Sequence, residues 1–289
     1  QNDGFVDKIS AHITKKVSDK LTSLYKNEKE NYTKYWNDIH PFIKYGCLRE
    51  EKFYDKVKDI IIYKTTKGDY VTLDEYLERN KKAHEDKVFY VTDEKQQAQY
   101  IKMFVEHEME AVILDTIIDS NFIQFLEMKN SKVKLLRIDA DLSENLKDSS
   151  SAITMDEGQQ AELIKIFKEI AGNEKLDVKI ENLKTSDTPA VILLSEQSRR
   201  IQDMSKWFGG MNLNEGMYPA EQTLIINANN GLIQSLAQIS KDEDKKGDVD
   251  LIGHHIYDLA MMSHKPLEPE AMAKFLERSN RLLTKLTLK

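Results

Sequence analysis

Between residues 87 and 139 the sequence alternates two kinds of segment. "KVFYVT" (87–92), "EAVILDT" (110–116) and "KVKLLRID" (132–139) are short apolar runs that suit buried strands. The polar "DEKQQAQYIKMFVEHE" and the apolar-striped "IIDSNFIQFLEMKN" lie between them and read as helices. Strand, helix, strand, helix, strand closes most simply as a small α/β layer with parallel strands. A purely helical or purely β chain is therefore excluded.

The flanks read differently. In "FVDKISAHITKKVSDKLTSLYKNE" the residues Val6, Ile9, Ile13, Val17, Leu21 and Leu24 recur every three or four positions, as on a helix, with Lys15, Lys16 and Lys20 on a solvated face. "NYTKYWNDIHPFIKYGCL" continues this pattern. Pro41 is expected to interrupt it and Gly46 to end the helix. A Gly68-Asp69 turn precedes Thr72 and Glu75, a capping-box pair that should open another helix.

Residues 142–158, "LSENLKDSSSAITMDEG", are rich in Ser, Asp and Glu and break the alternation. Beyond them comes a helix stopped at Gly172, then strand candidates "LDVKIENL", "AVILLSE" and "QTLIINAN", and three helical segments at the end. The prediction is a mixed α+β and α/β fold. A helical segment (1–64) and a small α/β subdomain (65–143) form the first domain. A linker (144–157) follows, then an α+β domain (158–289) with a small sheet and a C-terminal helical bundle.

With 40% hydrophobic and 31% charged residues, the 289-residue chain can bury a core beneath a well-solvated surface. The net charge is −7, and basic residues are mixed with acidic ones, which argues against a nucleic-acid partner. No apolar run approaches the ~20 residues a membrane span needs. Cys47, the single cysteine, fits a reducing compartment, hence a cytoplasmic location, and reads as a buried, unreactive thiol. The chain begins with Gln1 and has no signal-peptide pattern, so it reads as a piece of a longer protein.

Catalytic motifs are missing: no phosphate-binding glycine loop, no G-x-G-x-x-G, no nucleophile elbow. His254, His255 and Asp258 lie within one helical turn, yet the H-E-x-x-H pattern of a zinc protease is absent and no metal is expected. "EHEME" (106–110) gathers three carboxylates and His107, and reads as a wet surface.

Two apolar features remain. "IQDMSKWFGGMN" (201–212) places Met204, Trp207, Phe208 and Met211 at helical spacing beside Gly209-Gly210. Such a stripe is either core or a surface for partners. Near the end, Ile252, Ile256 and Leu259 line one helix, and Met272, Phe275, Leu276, Leu282, Leu283 and Leu286 line the next. Two such helices cannot fully cover each other, so they either pack on their own domain or pair with a second copy in a two-fold bundle.

Taken in order, "QNDGFVDKISAHITKKVSDKL", "KVFYVT", "HEMEAVILDTIIDSNFIQFLE", "SDTPAVILLSE", "MSKWF" and "LEPEAMAKFLERSNRLL" resemble the heat shock protein 90 chaperones, most closely the bacterial HtpG type, over essentially the whole chain. The resemblance implies the last part of the family's middle domain, then its C-terminal dimerisation domain. The ATP-binding domain is expected to be missing. The chain would then be no enzyme and hold no cofactor, while ATP and Mg belong to the intact parent. Gln1 matches a residue that reaches the ATP γ-phosphate, and remains only as a nucleotide-contact remnant. Met204, Trp207, Phe208 and Met211 would contact non-native client proteins, joined by Phe122 on the middle-domain helix. Glycines 209–210 would let the client helix swing. The ending "LTKLTLK" differs from the acidic tail that recruits tetratricopeptide-repeat co-chaperones, so no such partner is expected. Two other readings stay open: a purely structural dimerisation module, and an enzyme binding a small ligand on its α/β layer, with no catalytic set identified.

Overall fold

The computed structural model describes residues 3–140, 146–148, 155–173, 176–195, 198, 222–263 and 265–287, with side chains from residue 8 onward. Among these lie ten α-helices and eight strands, the mixed α and β content the sequence predicts. The chain divides into two compact units. One draws on residues 1–92 and 109–136, the other on residues 93–108 and 137–289.

In chain order the first half runs α1 (Asp3–Asn27), α2 (Lys29–Arg49), α3 (Glu51–Val57), β1 (Ile62–Lys64), β2 (Tyr70–Thr72), α4 (Leu73–Asn80), β3 (Lys87–Val91), α5 (Ala98–Glu106), β4 (Val112–Ile113), α6 (Ile117–Lys129) and β5 (Lys134–Arg137). Two predicted breaks in α2 do not occur. The helix continues through Pro41 and through Gly46 to Arg49. Its buried face of Tyr32, Trp36, Ile43 and Cys47 outweighs the single backbone bond that a proline removes. Gly46 serves packing instead of termination: a Cβ there would lie 2.9 Å from the Phe53 ring. Thr72 and Glu75 form the expected capping box on α4, at 3.2 and 2.8 Å.

Within the first unit, β1 and β2 pair antiparallel across the turn at Gly68, which takes φ 87, a conformation that favours glycine. β3 lies between β4 and β5, and β3 and β4 run parallel as predicted. The strand expected over 110–116 is only two residues long. Glu108 sits at φ 59, and Ala111 bonds to Thr66 through both its N–H and its carbonyl, which takes the start of that run out of the ladder. Residues from α2, α3, α4, α6 and the strands build one core around Tyr32, Trp36, Ile61, Tyr76, Val88 and Phe122. The intervening helix α5 departs from the simple crossover picture. It belongs to the second unit, where the Tyr100 hydroxyl donates to the Ile192 carbonyl at 2.5 Å.

The second unit continues with α7 (Glu157–Ala171), β6 (Asp177–Glu181), β7 (Ala190–Leu194), β8 (Gln222–Asn227), α8 (Gly231–Ile239), α9 (Lys246–Met262) and α10 (Pro269–Thr287). Asp156 and Gln159 cap the start of α7, and Gly172 ends it at φ 56 as expected. The strand order is β6-β8-β7, with β6 parallel and β7 antiparallel to β8. The core joins Leu163 and Phe167 of α7 to Ile192, Leu224 and Ile226 of the sheet and to Ile256 and Ala260 of α9. α9 approaches α7 closely at Gly253, where a Cβ would meet Ile170 at 2.6 Å.

Parts of the stretch read as a linker are anchored in this unit. Lys147 bridges to Leu183, the Lys184 N–H donates to the Leu146 carbonyl at 3.0 Å, and Met155 enters the core. A buried asparagine organises the far end of the sheet. Asn227 donates to the Thr185 and Thr188 carbonyls at 2.7 and 2.8 Å and accepts from the Leu183 and Asn229 N–H groups.

Candidate interaction surface

α10 is the one helix among those with described side chains that is long, strongly sided and without a single buried residue. At 100° per residue, Met272, Phe275, Leu276, Leu282, Leu283 and Leu286 share one stripe of the α10 wheel. Met272, Phe275 and Leu282 are half-buried. Leu276, Leu283 and Leu286 are 54%, 60% and 70% exposed, far more than an apolar face turned to a core would be.

The half-buried edge of the stripe rests on α9 through three side-chain contacts. The His255 ring stacks on Phe275, with centroids 4.8 Å apart and planes 4° from parallel. Arg278 pairs with Asp258, and Lys285 pairs with Asp248 nearer the other end of the two helices. Burial, then the Arg278 charge, holds the His255 pKa below its ordinary value. Its Nδ1 and the Arg278 Nε are buried without a hydrogen-bond partner.

The residues expected to pair subunits thus separate into three groups. Ile256 is buried in its own core, and Ile252 packs against that core, so α9 turns most of its apolar face inward. That corrects the reading of Ile256 as a pairing residue. It follows from the closeness that Gly253 allows, which presses this face of α9 onto α7. Met272, Phe275 and Leu282 form the middle group. Leu259, 40% exposed, joins Leu276, Leu283 and Leu286 in the exposed group.

Phe122 is fully buried in the first unit's core and stacks near Phe125 at 5.9 Å. In this conformation it offers no surface to a client. The sequence reading of Phe122 is corrected accordingly: α6 turns that position inward, where it packs with Ile123 and Leu126. Met204, Trp207, Phe208, Met211 and Gln1 lie outside the described residues. Cys47 is buried, which pushes its thiol pKa up to about 12 and leaves it unreactive, as expected. Among the described residues no group of three or more His, Cys, Asp or Glu side chains is placed to hold a metal, and no helix is long and apolar enough to cross a membrane. His254 instead lies 3.5 Å from Asp250.

Sequence reasoning missed two polar clusters of the first unit. Glu110, read as wet, has no exposed side-chain surface. Arg79 grips it with two nitrogens, Asn80 donates to it at 2.9 Å, and Arg79 also reaches Asp69 at 2.7 Å. Burial alone would raise the Glu110 pKa, but Arg79 and Asn80 outweigh it and the net shift is downward. The Arg79 hydrogen bond holds Asp69 down at about 2. Glu110 leads directly into an apolar strand, and that adjacency was the available signal. The second cluster, Lys44 with Asp119, has no comparable signal because the two are far apart in sequence.

The Hsp90 protein family model matches residues 1–288. The chain belongs to the Hsp90 family. Its relatives in that family include the chaperone protein htpG of Bacteroides fragilis strain 638R, 31% identical over 256 residues, which covers 85% of this chain and 37% of the relative. The HtpG chaperones of Porphyromonas gingivalis ATCC 33277 and Bacteroides thetaiotaomicron are 29% and 30% identical, over 84% and 82% of this chain. This Hsp90-family chain therefore spans a little over a third of the length of the curated relatives it matches. The ordered blocks that resemble the bacterial type are thus matched by the family model and by named chaperones.

Proposed function

We propose that this chain is the self-associating, client-binding part of an ATP-dependent Hsp90 chaperone, and that it pairs as a homodimer through α9 and α10. One observation carries the reading: α10 buries none of its own residues while presenting Leu276, Leu283 and Leu286 beside the exposed Leu259. Fully burying a leucine is worth about 1.5–3 kcal/mol, so a matching face on a second copy supplies a strong reason to associate. A two-fold pair is the simplest closed way to do so.

Client contact is assigned to Met204, Trp207, Phe208 and Met211, with Phe122 left out because it is core. Methionine and flat aromatic side chains adapt to many partner shapes, which suits non-native chains of varied sequence. In the intact parent, which would bind ATP and Mg, the paired α9 and α10 would be the fixed point about which the two arms close. We assign the parent to the cytoplasm, without nucleic-acid or membrane partners.

Light scattering after size exclusion tests the pairing. The expected mass is twice that of the chain, and truncation before residue 268, which removes α10 and leaves the core helix α9 in place, should reduce it to that of a single truncated copy. An unchanged mass after truncation would overturn the assignment. Client contact is tested by replacing Trp207 and Phe208 with alanine. Binding of a destabilised protein should weaken with little change in melting temperature.

A further inference from the structure

We propose that His255 is an acid-sensitive clasp that holds α10 against α9 only while its imidazole is neutral, and so makes self-association weaken below neutral pH. The proposal rests on the pairing reading given above and adds its regulation.

The geometry places the ring where a second positive charge is poorly tolerated. His255 lies flat on Phe275, 4.8 Å between centroids. Its Nδ1 is buried and has no acceptor within reach, so an imidazolium would bury an N–H donor there without a partner. The charged group that α10 presents to it is Arg278, three residues beyond Phe275, which already pairs with Asp258. On its own helix, Asp258 is engaged by Arg278, Asp248 by Lys285, and His254 lies near Asp250. The opposite face of α9 meets α7 through Ile166 and Ile170 at Gly253, and meets β7 and α8, neither of which carries a charged residue, while the turn Glu243–Lys245 abuts only its N-terminal end. An imidazolium on the Phe275 face gains some cation–π attraction, which opposes the effect but is weak for a partly exposed site. The unpaired donor and the neighbouring guanidinium act the other way, in agreement with the depressed pKa of the docked ring.

The docked histidine titrates below the undocked one, so docking is fully favoured above the undocked value of about 6.5 and is lost as pH falls through the interval beneath it. At a pH near 5.5 an undocked imidazole is about ten-to-one protonated, so docking weakens by up to about tenfold per protomer.

The test measures the dimer dissociation constant of the full chain by sedimentation, near pH 7.5 and near pH 5.5, for the unaltered protein and for His255→Phe. The phenyl ring keeps the stack and cannot titrate. The expected result is a dissociation constant that rises at least several-fold on acidification of the unaltered chain and stays nearly flat in the variant. Equal pH responses in both would overturn the clasp. A chain that is monomeric at both pH values would overturn the pairing reading instead. The clasp is then judged by hydrogen exchange of the α10 amides, which must quicken on acidification only when His255 is present. If His255→Phe fails to fold, Arg278→Gln serves. Removing the neighbouring cation leaves Asp258 to favour the imidazolium, so the acid response must shrink or reverse, and an unchanged response counts against the proposal.

Discussion

Lys44 and Asp119 form a buried ion pair that ties α2 to α6, with side chains 3% and 2% exposed. The same carboxylate accepts from the Thr116 N–H at 2.9 Å and from the Thr116 hydroxyl at 2.7 Å, capping α6. The Lys44 ammonium lies over the rings of Tyr63 and Phe122, at 5.8 and 5.7 Å. One aspartate therefore starts a helix and fastens it to its neighbour.

Removing one partner of this pair should cost much more than removing both. Lys44→Met leaves Asp119 charged, buried and short of a partner, and the expected loss is about 3–5 kcal/mol. Lys44→Met combined with Asp119→Asn removes both charges, keeps an acceptor for Thr116 and should recover a large part of that loss. Denaturant unfolding of the two variants decides it. Additive losses would mean that the pair contributes only as separate side chains.

The contact between Gly46 and Phe53 yields a second expectation. Alanine in a helix interior normally gains about 0.5–1 kcal/mol over glycine. Here the added methyl would lie 2.9 Å from a ring that is itself core, and such overpacking costs about 1–3 kcal/mol. Gly46→Ala should therefore destabilise the protein by about 1 kcal/mol. The loss should disappear when Phe53→Leu makes room. A stabilised Gly46→Ala would show that the helix and the ring are free to part.

Acid should act on the first unit through Arg79. Asp69 and Glu110 both have pKa values held below their ordinary range, by Arg79 first for Asp69 and by Arg79 and Asn80 against burial for Glu110. A depressed carboxylate adds stability that is complete above its unfolded value of about 4 and is lost as pH falls through its folded value. Unfolding free energy should thus drop between about pH 5 and pH 2. Arg79→Gln should flatten that slope and cost about 2–3 kcal/mol near neutrality, less than for a fully buried pair because Arg79 is 38% exposed. Urea titrations of both proteins across this range provide the measurement, and an unchanged slope in Arg79→Gln would remove Arg79 as the cause.

What could be read from the amino-acid order follows the range of the forces involved. Thr72 with Glu75, and Gly172, mark helix ends through local bonds and backbone preference, so those ends were legible, whereas the Asp156 cap of α7 fell inside the stretch read as a linker. Pro41 and Gly46 misled because local propensity was overruled by the packing of Trp36, Ile43 and Phe53, which join distant segments. The same distance hides Lys44 from Asp119. The apolar stripe of α10 was legible from its spacing, yet the division of labour within α9 was not. Ile256 and Leu259 are equally apolar in the sequence, and only the docking of α9 on α7 turns one inward and leaves the other exposed.

The exposed leucines of α10 supply the sharpest prediction for the surface. Leu276 and Leu283 lie seven residues apart, two turns along one side of the helix, and each is more than half exposed. Replacing both with lysine leaves the core contacts of α9 and the half-buried Phe275 in place, so the melting temperature of a dilute sample should move by only a degree or two. Two cations placed on each half of a two-fold apolar face would confront their copies directly, and the lost leucine burial alone is worth about 3–6 kcal/mol per protomer. Self-association should accordingly weaken by at least a hundredfold, seen as a halved mass in light scattering at micromolar concentration. Phe275→Ala differs in kind, since it removes the ring beneath His255 and should loosen α10 from α9 before any partner is involved. If the double lysine variant keeps the full mass while its helix content stays intact, the exposed side of α10 is not where two copies meet.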